Sequence, residues 1–108
     1  MKVHGGPAYL DLTGGITCYA HVIINTEVVI YTHNHEYGKA NWRDLPIILT
    51  PLVIESKAWI GRRAMIMPNV KYIGKCSVIA PGSVVTKDVP DYEMWGGNPA
   101  KFIKKVEK

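Results

Sequence analysis

Aliphatic residues recur every six positions along most of this chain. They fall at Leu10, Ile16, Val22 and Val28, then at Ile48, Ile54, Ile60 and Ile66, and, after one extra residue near Tyr72, at Ile73, Ile79 and Val85. Four positions after these anchors stand Gly14, Ala20, Thr26, Thr32, Leu52, Ala58, Ala64, Val70, Ser77, Ser83 and Val89, all small or β-branched except Leu52. A six-residue period matches neither a helix of about 3.6 residues per turn nor the strand spacing of a sandwich. It predicts an all-β solenoid of hexapeptide repeats, a β-helix in which each hexad forms one flat side of a coil. The anchors should point inward and stack on the next coil, three hexads along, while the small residue fits the tight corner.

Residues 10–33 hold four hexads and residues 48–90 hold seven, a little under four coils at three hexads each. Residues 34–47 break the beat and are polar, so they should loop out from the coil. Pro68, Pro81, Pro90, Gly61, Gly74 and Gly82 suit corners rather than strand centres, and the extra residue between Ile66 and Ile73 should form a bulge at a corner. In the tail, Asn98 is a good helix N-cap and Pro99 suits the first helical position. Phe102, Ile103 and Val106 have helical spacing, which predicts a short C-terminal helix over about 98–107 covering the open end of the solenoid. With 108 residues the chain makes a single domain. Little precedes the first hexad, as in a short protein or a fragment. Two open solenoid ends and a small core make oligomerisation the physical expectation.

Charge adds one candidate feature. The chain has 13 Lys+Arg against 9 Asp+Glu, for a net charge of +4, and Lys101, Lys104, Lys105 and Lys108 crowd the end. Such a tail suits a phosphorylated ligand or a solvated face; nucleic acid is not expected, because no binding motif accompanies the charge. Cys18 and Cys76 sit at non-anchor positions without a CxxC pair, and no signal-like N-terminus is present, so a reduced, cytoplasmic setting is expected. No apolar run approaches the roughly 18 residues of a membrane span.

Histidine is the side chain best suited to proton transfer near neutral pH. Of the four, His4 lies outside the repeat and His21 ends a hexad, which suits packing or solvation. His33 and His35 lie where the beat breaks, in Thr32-His33-Asn34-His35-Glu36-Tyr37, as expected of a functional loop. Glu36 could orient a base, contact a substrate or be solvated. Trp42 and Tyr37 could stack on a sugar ring or pack locally.

The motifs Ala58-Trp59-Ile60-Gly61, Ile79-Ala80-Pro81-Gly82-Ser83-Val84-Val85-Thr86-Lys87-Asp88-Val89-Pro90 and Gly97-Asn98-Pro99-Ala100-Lys101 resemble the hexapeptide-repeat acyltransferases. The resemblance runs from about Val28 to Lys104 and is strongest to the galactoside and maltose O-acetyltransferase branch. It implies a left-handed parallel β-helix and a homotrimer that moves an acetyl group from acetyl-CoA, with active sites between subunits. It favours His35 as the general base, 24 residues before Trp59, with His33 as the alternative. The oxyanion donor falls on the backbone N–H of Arg62, whose side chain could instead reach a CoA phosphate; the family usually has a small residue there. CoA contacts carry to Pro81, Ser83, Thr86 and Lys87, and phosphate contacts to Lys101 and Lys104. Trp59, between two inward anchors, could pack against a neighbouring subunit beside the base or simply cover the coil. The acceptor implied is a hydroxyl of a sugar or polysaccharide, with an amino sugar as a further option.

Two other readings share the fold. A γ-type carbonic anhydrase needs three placed histidines on zinc; His21, His33 and His35 do not show that arrangement, so no metal is expected. A degenerate, non-catalytic CoA-binding β-helix is the second.

Overall fold

The computed structural model describes residues 2–4, 6–35 and 46–107. In chain order the strands are β1 (Lys2–His4), β2 (Tyr9–Leu10), β3 (Ile16–Cys18), β4 (Ile23–Asn25), β5 (Val29–Ile30), β6 (His33–His35), β7 (Ile47–Leu49) and β8 (Leu52–Ile54). They continue as β9 (Trp59–Ile60), β10 (Met65–Ile66), β11 (Tyr72–Ile73), β12 (Val78–Ile79), β13 (Val84–Val85), β14 (Glu93–Gly97) and β15 (Ala100–Lys105). Parallel pairing stacks them into three faces: β1-β4-β9-β12-β14, then β2-β5-β10-β13, then β3-β8-β11. This is the coil that the six-residue beat predicts.

The corners repeat one device. Ala58, Ala64, Val70, Ser77 and Ser83 each donate a backbone hydrogen bond to the carbonyl three residues back, closing a tight turn. These side chains are all buried, and two or three residues later Ile60, Ile66, Ile73, Ile79 and Val85 are fully buried as well. Pro68, Pro81 and Gly82 lie in turns, as expected. The extra residue falls at the corner between β10 and β11, so Ile73 stacks on Ile54 across nineteen positions.

At four places the structure departs from the expectation. In the first coils Ile24 pairs with Ile60, Ile30 with Ile66 and Cys18 with Ile54. The anchors there are therefore Cys18, Ile24 and Ile30, while Ile16, Val22 and Val28 take the corner position two residues earlier. A strand buries positions i and i+2 on one face, so apolar residues at both leave the period intact and its phase ambiguous. Ile48 is not an anchor either. It is 49% exposed on β7, which pairs antiparallel with β6 as the stem of the inserted loop.

The third departure is the length of the coil. Strands β1 and β14 extend it beyond residues 10–90 at both ends. The fourth is the tail, which forms β15 where a helix over about 98–107 is expected. Gly97, at φ 102°, and the cis Asn98–Pro99 bond turn the chain back, and β15 runs antiparallel to β14. A helix of this length is marginal alone, whereas the open edge of β14 offers a row of backbone partners. Lys101, Lys104 and Lys105 then lie on the outermost strand, where charge discourages further pairing.

Gly61 shows how closely the coils approach. A Cβ there would sit 2.6 Å from the Ile79 carbonyl oxygen and 2.8 Å from the Pro81 nitrogen. Both are backbone atoms of the next coil and neither can swing away. Gly61→Ala should cost about 1–3 kcal/mol, seen as a lowered thermal midpoint, whereas Gly15→Ala meets no atom within 4 Å and loses only what its positive φ demands.

Candidate active site

The corner after β5 carries the inserted hairpin, and what organises it is Asp11, 5% exposed, on the coil above. Its carboxylate accepts the Thr13 N–H at 3.1 Å and the Thr32 N–H at 2.8 Å. The Thr32 hydroxyl donates to the Asp11 carbonyl at 2.6 Å and accepts the Gly14 N–H at 2.9 Å. His33 Nδ1 lies 2.6 Å from Asp11 Oδ2. Burial alone would raise the Asp11 pKa; the Thr13 side chain, the Thr32 and Thr13 N–H groups and His33 reverse this and hold it well below the usual carboxylate range. An ionised carboxylate can only accept, so His33 Nδ1 carries the hydrogen.

His33 and His35 lie on one strand with their rings edge to face, centroids 5.8 Å apart. Both border a cleft of about 270 Å³ with Tyr31, Asn34, Met67 and Pro68. The His35 ring is exposed, and its backbone N–H is held by Asn34 Oδ1 at 2.8 Å. Thr86 and Lys87 follow β13, directly below Met67 and Pro68 on the same edge. Glu36, Tyr37 and Trp42 lie outside the described residues.

The remaining expected residues gather elsewhere. Arg62 and Pro81 share a second cleft of about 340 Å³ with Arg63 and Gly82, at the corner between β9 and β10. There Glu27 bonds Arg63 at 3.0 Å and approaches Arg62 at 3.7 Å, and its hydrogen bond to Arg63 holds its pKa low. The Arg62 N–H finds no acceptor among the described residues, while its carbonyl accepts from Gly82 at 2.8 Å. Ser83 does not present its side chain to a ligand. It is buried, donates to the Ala80 carbonyl at 2.6 Å and accepts the Gly97 N–H at 3.2 Å. Lys101 and Lys104 are exposed on β15, in register with Gly96 and Met94. Trp59 is 48% exposed on the face that also presents Ile23, Val78 and Met94 in register.

No group of three His, Cys, Asp or Glu among the described residues could hold a metal ion. Burial pushes the Cys18 thiol up, which makes it a poor nucleophile. Sequence reasoning misses Asp11 because it precedes His33 by 22 positions, and no local motif joins them. The one available signal is the eight-residue step from Leu10 to Cys18, where the regular beat has six.

No family model matches the chain. It is 57% identical over 53 residues to chloramphenicol acetyltransferase of Klebsiella aerogenes, covering 49% of this chain and 25% of that one. A maltose O-acetyltransferase from Clostridium difficile superposes with a TM-score of 0.83 at 33% identity, over 98% of this chain and 60% of its own. A hexapeptide-repeat-containing acetyltransferase from Vibrio cholerae gives 0.79 at 35% identity, over 87% and 53%, and it has also been solved with acetyl coenzyme A. The chain thus spans between a quarter and six-tenths of the lengths of these relatives. The shared sequence, the three-faced parallel coil and the histidine-bearing break in it place the chain in the hexapeptide-repeat acyltransferases, with their left-handed parallel β-helix.

Proposed function

We propose that the chain carries the catalytic β-helix of an acetyltransferase that moves an acetyl group from acetyl-CoA to a sugar hydroxyl. The observation that carries this reading is the cleft where the hexad beat breaks, which is bordered by two imidazoles. His35 takes the proton of the hydroxyl as its oxygen attacks the thioester carbonyl. The C–O bond forms, the C–S bond breaks, and the proton passes to the departing thiolate to give free CoA. The Arg62 N–H, which has no acceptor among the described residues, supplies the donor for the oxyanion. Pro81, Thr86 and Lys87 offer backbone and side-chain contacts to the pantetheine and adenine. Lys101 and Lys104 offer point charges to the phosphates, without the bidentate fork of arginine.

The histidine edge and the Arg62–Pro81 corner are successive edges of one prism, and among the described residues they line separate clefts. A homotrimer that sets one protomer's histidine edge against its neighbour's Arg62 corner completes the site. The apolar column Ile23, Trp59, Val78 and Met94 gives the protomers a surface to bury. No described helix is long and apolar enough to cross a membrane, and a cytoplasmic setting suits both acetyl-CoA and the two cysteines.

Thiol release from acetyl-CoA across a panel of glycosides tests the reading. His35→Ala should lower turnover about 10²–10⁴-fold, with acetyl-CoA affinity kept. Turnover equal to the wild type would remove His35 from the chemistry. Sedimentation should report a trimer, and a stable monomer would contradict the shared site. Lys101→Ala and Lys104→Ala should each weaken acetyl-CoA binding several-fold, in a salt-dependent manner; unchanged affinity in both would take the tail out of the cofactor site.

A further inference from the structure

The second imidazole in the cleft is held for a purpose that proton abstraction by His35 does not use. We infer that His33, locked by Asp11, reads a second hydroxyl of the acceptor, so that the substrate is a diol with two hydroxyls on adjacent or next-but-one carbons. This inference rests on the acetyltransferase reading above.

The argument begins with the carboxylate. Asp11 Oδ2 already accepts the Thr32 N–H at 2.8 Å and meets His33 Nδ1 at 2.6 Å. Because that oxygen accepts from both neighbours, Nδ1 is a nitrogen that carries a hydrogen. In the neutral ring Nε2 is then a lone pair, and the ring borders the cleft. A lone pair of fixed direction accepts a hydrogen bond; it cannot donate one to a carbonyl or a phosphate. On a sugar without nitrogen, that selects a hydroxyl.

The second part is spacing. The His33 and His35 rings stand 5.8 Å apart, centroid to centroid, in a T-shaped arrangement. Two hydroxyls, each at a hydrogen bond of about 2.8 Å from one ring, can belong to one diol at this ring separation. A simple alcohol or a lone amine fills only the His35 side.

The His33 ring is 29% exposed, and the carboxylate beneath it is 4% exposed. The pair is built into the corner rather than resting on the surface. Besides the contacts of its own strand, it is held by Thr13, Gly14 and Thr32 through the hydrogen bonds around Asp11.

Two measurements on the full chain test this. The first compares a methyl hexopyranoside that is acetylated with its monodeoxy analogues, for wild type and for His33→Phe, which keeps a ring and removes both nitrogens. The wild type should lose roughly 10–100-fold in kcat/KM when the neighbouring hydroxyl is removed, the fold-change of one good hydrogen bond. His33→Phe should show a raised acceptor KM, an unchanged acetyl-CoA KM, and indifference to the deoxy change. Equal losses in both proteins would overturn the inference and leave the acetyltransferase reading standing. Loss of turnover in His33→Phe with every acceptor, at unchanged acetyl-CoA binding, would make His33 the base and overturn it as well. No thiol release by the wild type with any hydroxyl would overturn the acetyltransferase reading and the inference together.

The second measurement needs no activity and no folded variant. Long-range proton–nitrogen correlation on the wild-type chain should show His33 as the Nδ1–H tautomer; an Nε2–H tautomer, or a ring protonated at both nitrogens, would overturn the inference.

Discussion

Replacing Ile60 with alanine should lower the unfolding free energy by about 2–5 kcal/mol. Ile60 is fully buried, with Ile24 stacked on one side of it and Ile79 on the other. Each coil of a solenoid contacts only its neighbours, so a cavity here weakens both interfaces of the central coil at once. The closed backbone ladder above and below leaves little room for collapse, which places the cost toward the upper part of that range. Ile48→Ala is the matched control. The same atoms are deleted at a site that is 49% exposed, and the change should stay within about 0.5 kcal/mol. Denaturant unfolding of the two variants decides the matter; equal shifts would mean that Ile48, as the period alone suggests, lies in the core after all.

Asp11→Ala should cost about 3–5 kcal/mol at neutral pH, the range for breaking a buried charged network on one side. It strands the Thr13 and Thr32 N–H groups and the His33 ring together. The pH dependence follows from the lowered native pKa of Asp11. A carboxylate whose pKa is depressed by folding contributes its stability above the unfolded value of about 3.9 and loses it as the pH falls through the native one. The gap between wild type and Asp11→Ala should therefore be full at neutral pH and shrink in strong acid. A gap that does not change with pH would show that the carboxylate is not ionised in the folded chain.

The site was only partly legible. His33 and His35 stand out because the beat stops there, and a side chain freed from the inward–outward alternation of a coil is available for chemistry. Ser83 looked like a ligand contact from its motif, yet a small hydroxyl at a corner is more useful closing the turn, and the structure turns it inward. Arg62 and Pro81 do share a cleft, but on a different edge from the histidines. A linear motif says which residues are special without saying which edge of the prism they occupy.

The hexad period by itself determined that the chain coils, that its flat sides pair in parallel and that something projects after residue 33. Those properties depend on inward aliphatics and tight corners, which are local and repeat in the sequence. Tertiary structure alone decided the phase of the first coils, because strands with apolar residues at i and i+2 satisfy the period in either phase and only pairing with Ile54, Ile60 and Ile66 selects one. It alone made the tail a strand, because the free edge of β14 offers hydrogen bonds that a short helix cannot match. It alone brought Asp11 to His33, since stacking coils sets side by side residues that lie 22 positions apart in the chain.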